Sequence, residues 1–302
     1  MLVKKIKGSP ALGGLLVMIA GCLWGCTGLF VGRINTAGIA AMEIVELRGI
    51  LTALLMLPLM LCIDRKLLRI RLKDLWCFIG SGVFSVLFFN FCYYNTIQSS
   101  GMAVAAVLLY TSPVFVMLLS LWLFRERLTV RGVVALVLTV AGCVLVSGIL
   151  TEGGTFTAGG LALGIGAGFG YALYSIFSRY AIQRGYHPMT ITFYTFLLSA
   201  VGGVFFTDFE LIATASAANG MGLWLPLVGY VAVGTVGAYL LYTAGLRHID
   251  NSKAAVMAAV EPACATLLQI VVLRVLPDGF TLVGILLVLA AIVLLNVGTK
   301  KT

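Results

Sequence analysis

The chain of 302 residues is 61% hydrophobic and only 10% charged, with a mean hydropathy of +1.09. That balance excludes a soluble globular core, because no domain of this size hides so much apolar surface from water. The net charge of +9 suits a nucleic-acid partner only until the positions of Lys and Arg are counted.

Apolar runs of about 20 residues separated by short polar breaks read as membrane-spanning helices. Ten are predicted, over 10–32, 39–63, 74–95, 101–124, 129–149, 158–181, 187–207, 222–245, 252–273 and 279–298. They use up the chain and leave no room for a soluble domain. With the N-terminus taken as cytoplasmic, 17 of the 20 Lys and Arg residues fall on the inner side, from Lys4, Lys5 and Lys7 through Arg65–Lys73, Arg125–Arg131, Arg179, Arg184, Arg247 and Lys253 to Lys300 and Lys301. Arg33 and Arg274 fall outside with the acidic Glu152, Asp208 and Glu210, and Arg48 lies within a helix. The excess of positive charge is therefore a topology signal, with both termini inside and no nucleic-acid patch.

The opening Lys4-Lys5-Ile6-Lys7 and Ile19-Ala20-Gly21-Cys22 resemble a cleavable leader, but the apolar run continues past Cys22, which favours a retained helix. Leu23-Trp24-Gly25 follows, with Thr27 and Phe30 at helical spacing. Here small residues permit close packing, and Trp24 offers a pocket wall with one donor. The second helix carries Glu43, Glu46 and Arg48. Charge inside a bilayer is costly, so each is a candidate gating or ion-binding group. The simpler role for Glu43 and Glu46 is to snorkel to the outer surface; for Arg48 it is an internal partner. Glu46 and Arg48, two residues apart, point different ways on a helix.

In the third helix Asn90, Tyr93 and Tyr94 share one polar-aromatic face, which reads as a pocket lining or, for the tyrosines, an interfacial belt. Tyr110-Thr111-Ser112-Pro113 in the fourth helix and Ala259-Val260-Glu261-Pro262 in the ninth each break a helix near mid-membrane, since proline removes one hydrogen bond and frees a carbonyl. Glu261 beside its break can carry a proton, meet a cation or cap the broken helix. The sixth helix holds Gly160, Gly164, Gly166, Gly168 and Gly170, a close-packing surface, followed by the stripe Tyr171, Tyr174, Ser175 and Ser178, which suits a cavity wall. The seven cysteines lie in predicted helices without Cys-x-x-Cys spacing, so neither metal site nor disulfide framework is expected. His187 and His248 sit at helix ends and read as structural.

The stretch from Tyr93 onward occurs twice. Shifted by 149 residues, Tyr93 falls on Tyr242, Ala105-Ala106-Val107 on Ala254-Ala255-Val256, Pro113 on Pro262, Leu118-Leu119 on Leu267-Leu268 and Arg125 on Arg274. The same shift sets Asn90 on Tyr239. Residues 1–150 and 151–302 thus read as two copies of a five-helix unit meeting at Thr151–Thr155. Because five is odd, the second copy enters the membrane inverted, an arrangement that favours alternating access around a central site.

The Leu-Trp-Gly opening, the two Pro-centred helices and Phe124-Arg125-Glu126-Arg127-Leu128-Thr129 before a Gly-rich helix resemble the drug/metabolite transporter superfamily, and within it the ten-helix EamA type. The resemblance covers nearly the whole chain. It implies transport of small organic solutes, commonly export of amino acids or other metabolites, and a structural place for Glu126 at an inner helix end. The second copy departs from the motif with Val275-Leu276-Pro277-Asp278.

The expectation is an all-α polytopic membrane protein working as a secondary transporter in the cytoplasmic membrane. Its cavity is expected from helices 1, 3, 4, 6, 8 and 9, with Trp24, Asn90, Tyr93, Tyr110, Tyr174, Ser178, Tyr239, Tyr242 and Glu261 on a small-molecule substrate. Arg48 and Glu46 would act as gating charges and Pro113 and Pro262 as breaks. Glu261 is a candidate for proton coupling, and with no phosphate loop ATP is not the direct energy source; no cofactor or metal is expected. A translocase of membrane lipid on the same fold is the alternative. An intramembrane enzyme ranks last, since no aspartate lies centrally in a helix and no histidine lies away from the ends.

Overall fold

The computed structural model describes residues 9–151, 153–154, 156–274 and 276–296. The leader-like Lys4-Lys5-Ile6-Lys7, Glu152, Thr155, Val275, Lys300 and Lys301 lie outside them. The described residues form ten apolar helices and, among them, no strand: α1 Pro10–Asn35, α2 Ala41–Ile63, α3 Leu72–Ser100, α4 Met102–Phe124, α5 Val130–Val146, α6 Ala158–Gln183, α7 Pro188–Phe206, α8 Met221–Gly245, α9 Asn251–Val272 and α10 Gly279–Asn296. Nine are long enough to cross a bilayer and α5 is a shorter apolar helix. A further helix, Phe209–Asn219, lies between α7 and α8 where a loop is expected; Asp208 caps it by accepting from the Glu210 and Leu211 N–H groups, each at 3.0 Å.

Several helices start where a side chain accepts from an N–H group of the first turn. Thr129 caps α5 through the Gly132 N–H at 3.0 Å, Thr157 caps α6 through the Gly160 N–H at 3.0 Å, and Asp278 caps α10 through the Thr281 N–H at 2.7 Å. His187 Nδ1 accepts from the Met189 N–H at the head of α7, the structural role its position suggests. At the other ends α4 and α9 stop in the same way. Arg125 and Arg274, equivalent under the 149-residue shift, both take the left-handed conformation, at φ 54° and 56°.

The two halves interleave. α1 packs on α8 and α9 of the second half, and α6 packs on α3 and α4 of the first, so the swap is reciprocal. α2 meets its equivalent α7, α4 meets α9, and α5 meets α10. Both α3 and α8 loosen into wider π-helical turns at matching places, Gly80–Leu87 and Val231–Gly237. The proline breaks also match. Pro113 and Pro262 open new helical segments at Ser112 and Glu261. The Ala258 carbonyl, which Pro262 leaves without its helical donor, faces α1, where a Cβ on Gly21 would sit 2.7 Å from it.

The halves also approach closely between α5 and α10. A Cβ on Gly142 would lie 2.6 Å from the Gly284 carbonyl oxygen, closer than any real side chain is found, and the approach is mutual. Gly284→Val should therefore overpack the contact and cost about 1–3 kcal/mol. Thermal melting of the purified protein in detergent checks this, with Val283→Ala on the lipid side as the near-neutral control.

Candidate functional site

Along α1, α3, α6 and α8 the apolar packing gives way to a narrow cleft of about 20 Å³ lined by Trp24, Ser85, Val86, Phe89, Tyr171, Tyr174, Ser175, Tyr239 and Tyr242. Its walls come from both halves because α1 and α6 are exchanged between them. Trp24 stands at the centre, with ring centroids 5.2 Å from both Tyr239 and Tyr242 and 6.4 Å from Tyr171. Tyr174 crosses Tyr239 edge-on at 4.9 Å. The phenols are fixed by hydroxyls on neighbouring helices: Tyr174 shares a hydrogen bond with Thr243 at 2.6 Å and Tyr242 with Ser175 at 2.7 Å. The wider turn of α3 turns Ser85 toward α6, where its hydroxyl donates to the Gly170 carbonyl at 2.7 Å. The Trp24 indole N–H is buried without a protein acceptor, a directional donor inside an aromatic cage.

A second layer adjoins the cleft through Tyr239. Phe196 of α7 meets Tyr239 at 4.8 Å, and the Arg48 guanidinium lies over Phe196 at 5.1 Å and over Tyr230 at 5.6 Å. Arg48 donates to the Tyr230 hydroxyl at 2.7 Å, while its Nε and second Nη have no protein partner. It meets no carboxylate among the described residues. Buried cations are held here by aromatic faces.

The sequence-predicted residues thus separate. Trp24, Tyr174, Tyr239 and Tyr242 come together in the cleft. Asn90 does not join them: its amide donates to the Val86 carbonyl of its own helix at 2.6 Å. Tyr93 stacks on Phe89 at 5.7 Å, and Ser178 is buried with its hydroxyl unpartnered. Glu261, half-buried, has Tyr93, Tyr110, Tyr171 and Cys143 as its electrostatic neighbours, so Tyr93, Tyr110 and Glu261 form a second group touching the cleft at Tyr171. Helices 4 and 9, expected in the wall, contribute no residue to the cleft itself. Glu43 and Glu46 do not snorkel. They are 6% and 1% exposed, because α7 and the chain after it cover that end of α2. Cys22 and Cys264 face each other across α1 and α9, with the Cys264 thiol donating at 2.9 Å.

A family model for EamA-like transporters matches the chain twice, over residues 11–148 and 158–297. The chain belongs to the EamA-like transporter family. A transporter of Archaeoglobus fulgidus is 31% identical over 183 residues, 59% of this chain and 63% of the relative, so the chain spans under two thirds of that protein's length. The inner membrane transporter YicL of Salmonella typhimurium is 25% identical over 97% of this chain and 98% of its own. YetK of Bacillus subtilis, also named a transporter, is 24% identical over 100% and 90%. A solved crystal structure superposes with a TM-score of 0.78 at 18% identity, covering 94% of this chain and 96% of that one, which shows the fold. The chain is a multi-pass membrane transporter by family.

In this EamA-like chain the acidic motif residue Glu126 has a defined task. Its carboxylate reaches from the α4–α5 connection to the first turn of α9, accepting from the Asn251 N–H at 2.9 Å, the Ser252 N–H at 3.2 Å and the Ser252 hydroxyl at 2.6 Å. Asp250, the residue in the cap position, makes no side-chain cap itself. Arg179 of α6 closes the same end from the other side, donating to Asn251 Oδ1 at 2.8 Å, to the Leu246 carbonyl at 2.6 Å and to the Ile249 carbonyl. Periodicity gave no hint of Arg179, which reads only as one more charge at a basic helix end. A hollow of about 320 Å³ lies alongside, walled by Arg127, Asp250, Lys253 and Leu294; it is a recess at the helix ends, apart from the aromatic cleft.

Proposed function

We propose that this EamA-like transporter moves small organic solutes, amino acids or related metabolites, out across the cytoplasmic membrane by alternating access. The observation that carries the reading is the aromatic cleft placed where two interleaved, equivalent halves meet. Rocking one half against the other changes access to such a site without dismantling it. The cage of Trp24, Tyr174, Tyr239 and Tyr242 suits the apolar body of a small solute, and the two unpartnered nitrogens of Arg48 beyond Tyr239 suit an anionic group such as a carboxylate. The basic ends of α2, α4, α6 and α8 support a cytoplasmic side there, with the Glu126 and Arg179 contacts inside and Glu43 outside. The halves 1–150 and 151–302 act as the two moving bodies. The transporter family and the names of its relatives support a carrier over an enzyme.

Uptake and efflux in proteoliposomes, against a panel of amino acids and organic cations with and without a pH gradient, test the reading. Saturable flux of one class supports it. No flux across the panel, together with flipping of labelled lipid, moves the reading to a lipid translocase. Glu261, next to the break in α9, is the proposed coupling residue. Glu261→Gln should abolish a pH-driven flux by at least tenfold while leaving exchange of labelled solute intact; coupling unchanged in that variant would sink the assignment.

A further inference from the structure

The structure buries a second carboxyl that the cleft does not use. Glu46, in the outer third of α2, is 1% exposed, and both of its oxygens lack any hydrogen-bond partner. It lies in the seam where α2 meets α7 and α3. Gly203 at the end of α7 makes room for it: a Cβ there would collide with Glu46 Oε2, and Leu87 of α3 closes the other side of Gly203 at 3.7 Å. On α2 itself the charged neighbours are Glu43, one turn outward, and Arg48, whose guanidinium is turned away onto Phe196 and Tyr230. Along α3 and α7, among the described residues, the titratable groups flanking this level are Tyr94, two turns on from Leu87 along α3, Cys92, which packs toward Gly166 of α6, and Asp208, just past the end of α7. An ionised Glu46 therefore has no counter-charge and no donor, whereas a carboxylic acid needs neither.

Glu43 connects this site to the surface. It is 6% exposed, with Oε1 accepting from the Asp208 N–H at 3.2 Å and Oε2 unpartnered. Glu43 and Glu46 are three residues apart and so neighbours on one helix face.

We propose that Glu46 is a proton-binding site in the α2–α7 seam, filled and emptied through Glu43. In the loading step the O–H bond of a protonated Glu43 breaks as the O–H bond of Glu46 forms, and the negative charge passes outward to Glu43. Its place in a transport cycle rests on the transporter reading above, but occupancy of the site does not.

The test is infrared difference spectroscopy on the full-length protein in lipid, reading the carbonyl band of protonated carboxyl groups through a pH titration. The expected result is a band that Glu46→Gln removes, Glu46→Asp shifts, and Glu261→Gln leaves in place. In Glu43→Gln the band should persist, with deuterium exchange at least tenfold slower. A band unchanged in Glu46→Gln overturns the site, and unslowed exchange in Glu43→Gln overturns the route. The band reports on Glu46 whether or not a solute moves. A failed flux assay with the band removed by Glu46→Gln therefore still supports the site and counts against the transport reading alone.

Discussion

Truncating Tyr239 to alanine should cost about 3 kcal/mol of stability and lower transport at least a hundredfold, while Tyr239→Phe should retain the fold. Tyr239 is the ring on which the two layers of the site converge: it meets Trp24 at 5.2 Å, Tyr174 at 4.9 Å and Phe196 at 4.8 Å, and through Phe196 it supports Arg48. Removing a buried aromatic ring leaves a cavity worth about 3–5 kcal/mol in a water-soluble core. The lower end applies here, since inside a bilayer packing and not water exclusion holds helices together. Tyr239→Phe keeps all three ring contacts. Thermal melts in detergent and initial rates in proteoliposomes separate the two effects. Full transport by a stable Tyr239→Ala protein would remove the cleft from the pathway.

The second large effect belongs to Glu126. Glu126→Ala should destabilise the protein by about 2–3 kcal/mol, because two backbone donors at the head of α9 lose a charged acceptor, and at this part-buried helix end water replaces part of the roughly 1.5–3 kcal/mol that each such bond contributes. The carboxylate also faces the positive end of a helix, which adds a few tenths to about 1 kcal/mol. Glu126→Gln should recover part of the loss, since an amide oxygen still accepts. Hydrogen exchange gives the local readout: the amides of Asn251 and Ser252 should exchange at least tenfold faster in the alanine variant. Unchanged exchange there would mean that the cap does not hold α9.

Much of this architecture is legible in the sequence. Inside a bilayer every backbone group must be satisfied within its own helix, so long apolar runs have one solution. The breaks before Pro113 and Pro262 follow from the missing proline N–H, and the stripe of Tyr171, Tyr174 and Ser175 faces the cleft as helical spacing suggests. The errors have a common cause. Spacing says which residues share a face but not which helix that face meets, and here the facing helix belongs to the other half. Asn90 shows this most simply. Its amide donates within its own helix, to the carbonyl four residues back. Glu43 and Glu46 sit where the sequence suggests an open outer end, yet the end of α7 and the chain at Asp208 cover them. Glu261, Tyr93 and Tyr110 lie outside the lining of the cleft.

The reciprocal exchange of α1 and α6 has a consequence for biosynthesis. Trp24 must find Tyr239 and Tyr242, yet more than 200 residues separate them in the chain. At about 5–20 residues per second, α1 is in the membrane for roughly 10–40 seconds before α8 is made. During that interval the Trp24 face of α1 lacks its Tyr239 and Tyr242 partners. Neither half is therefore a self-sufficient folding unit. Expressed as separate pieces cut between α5 and α6, each should be degraded alone, and the two together should protect one another.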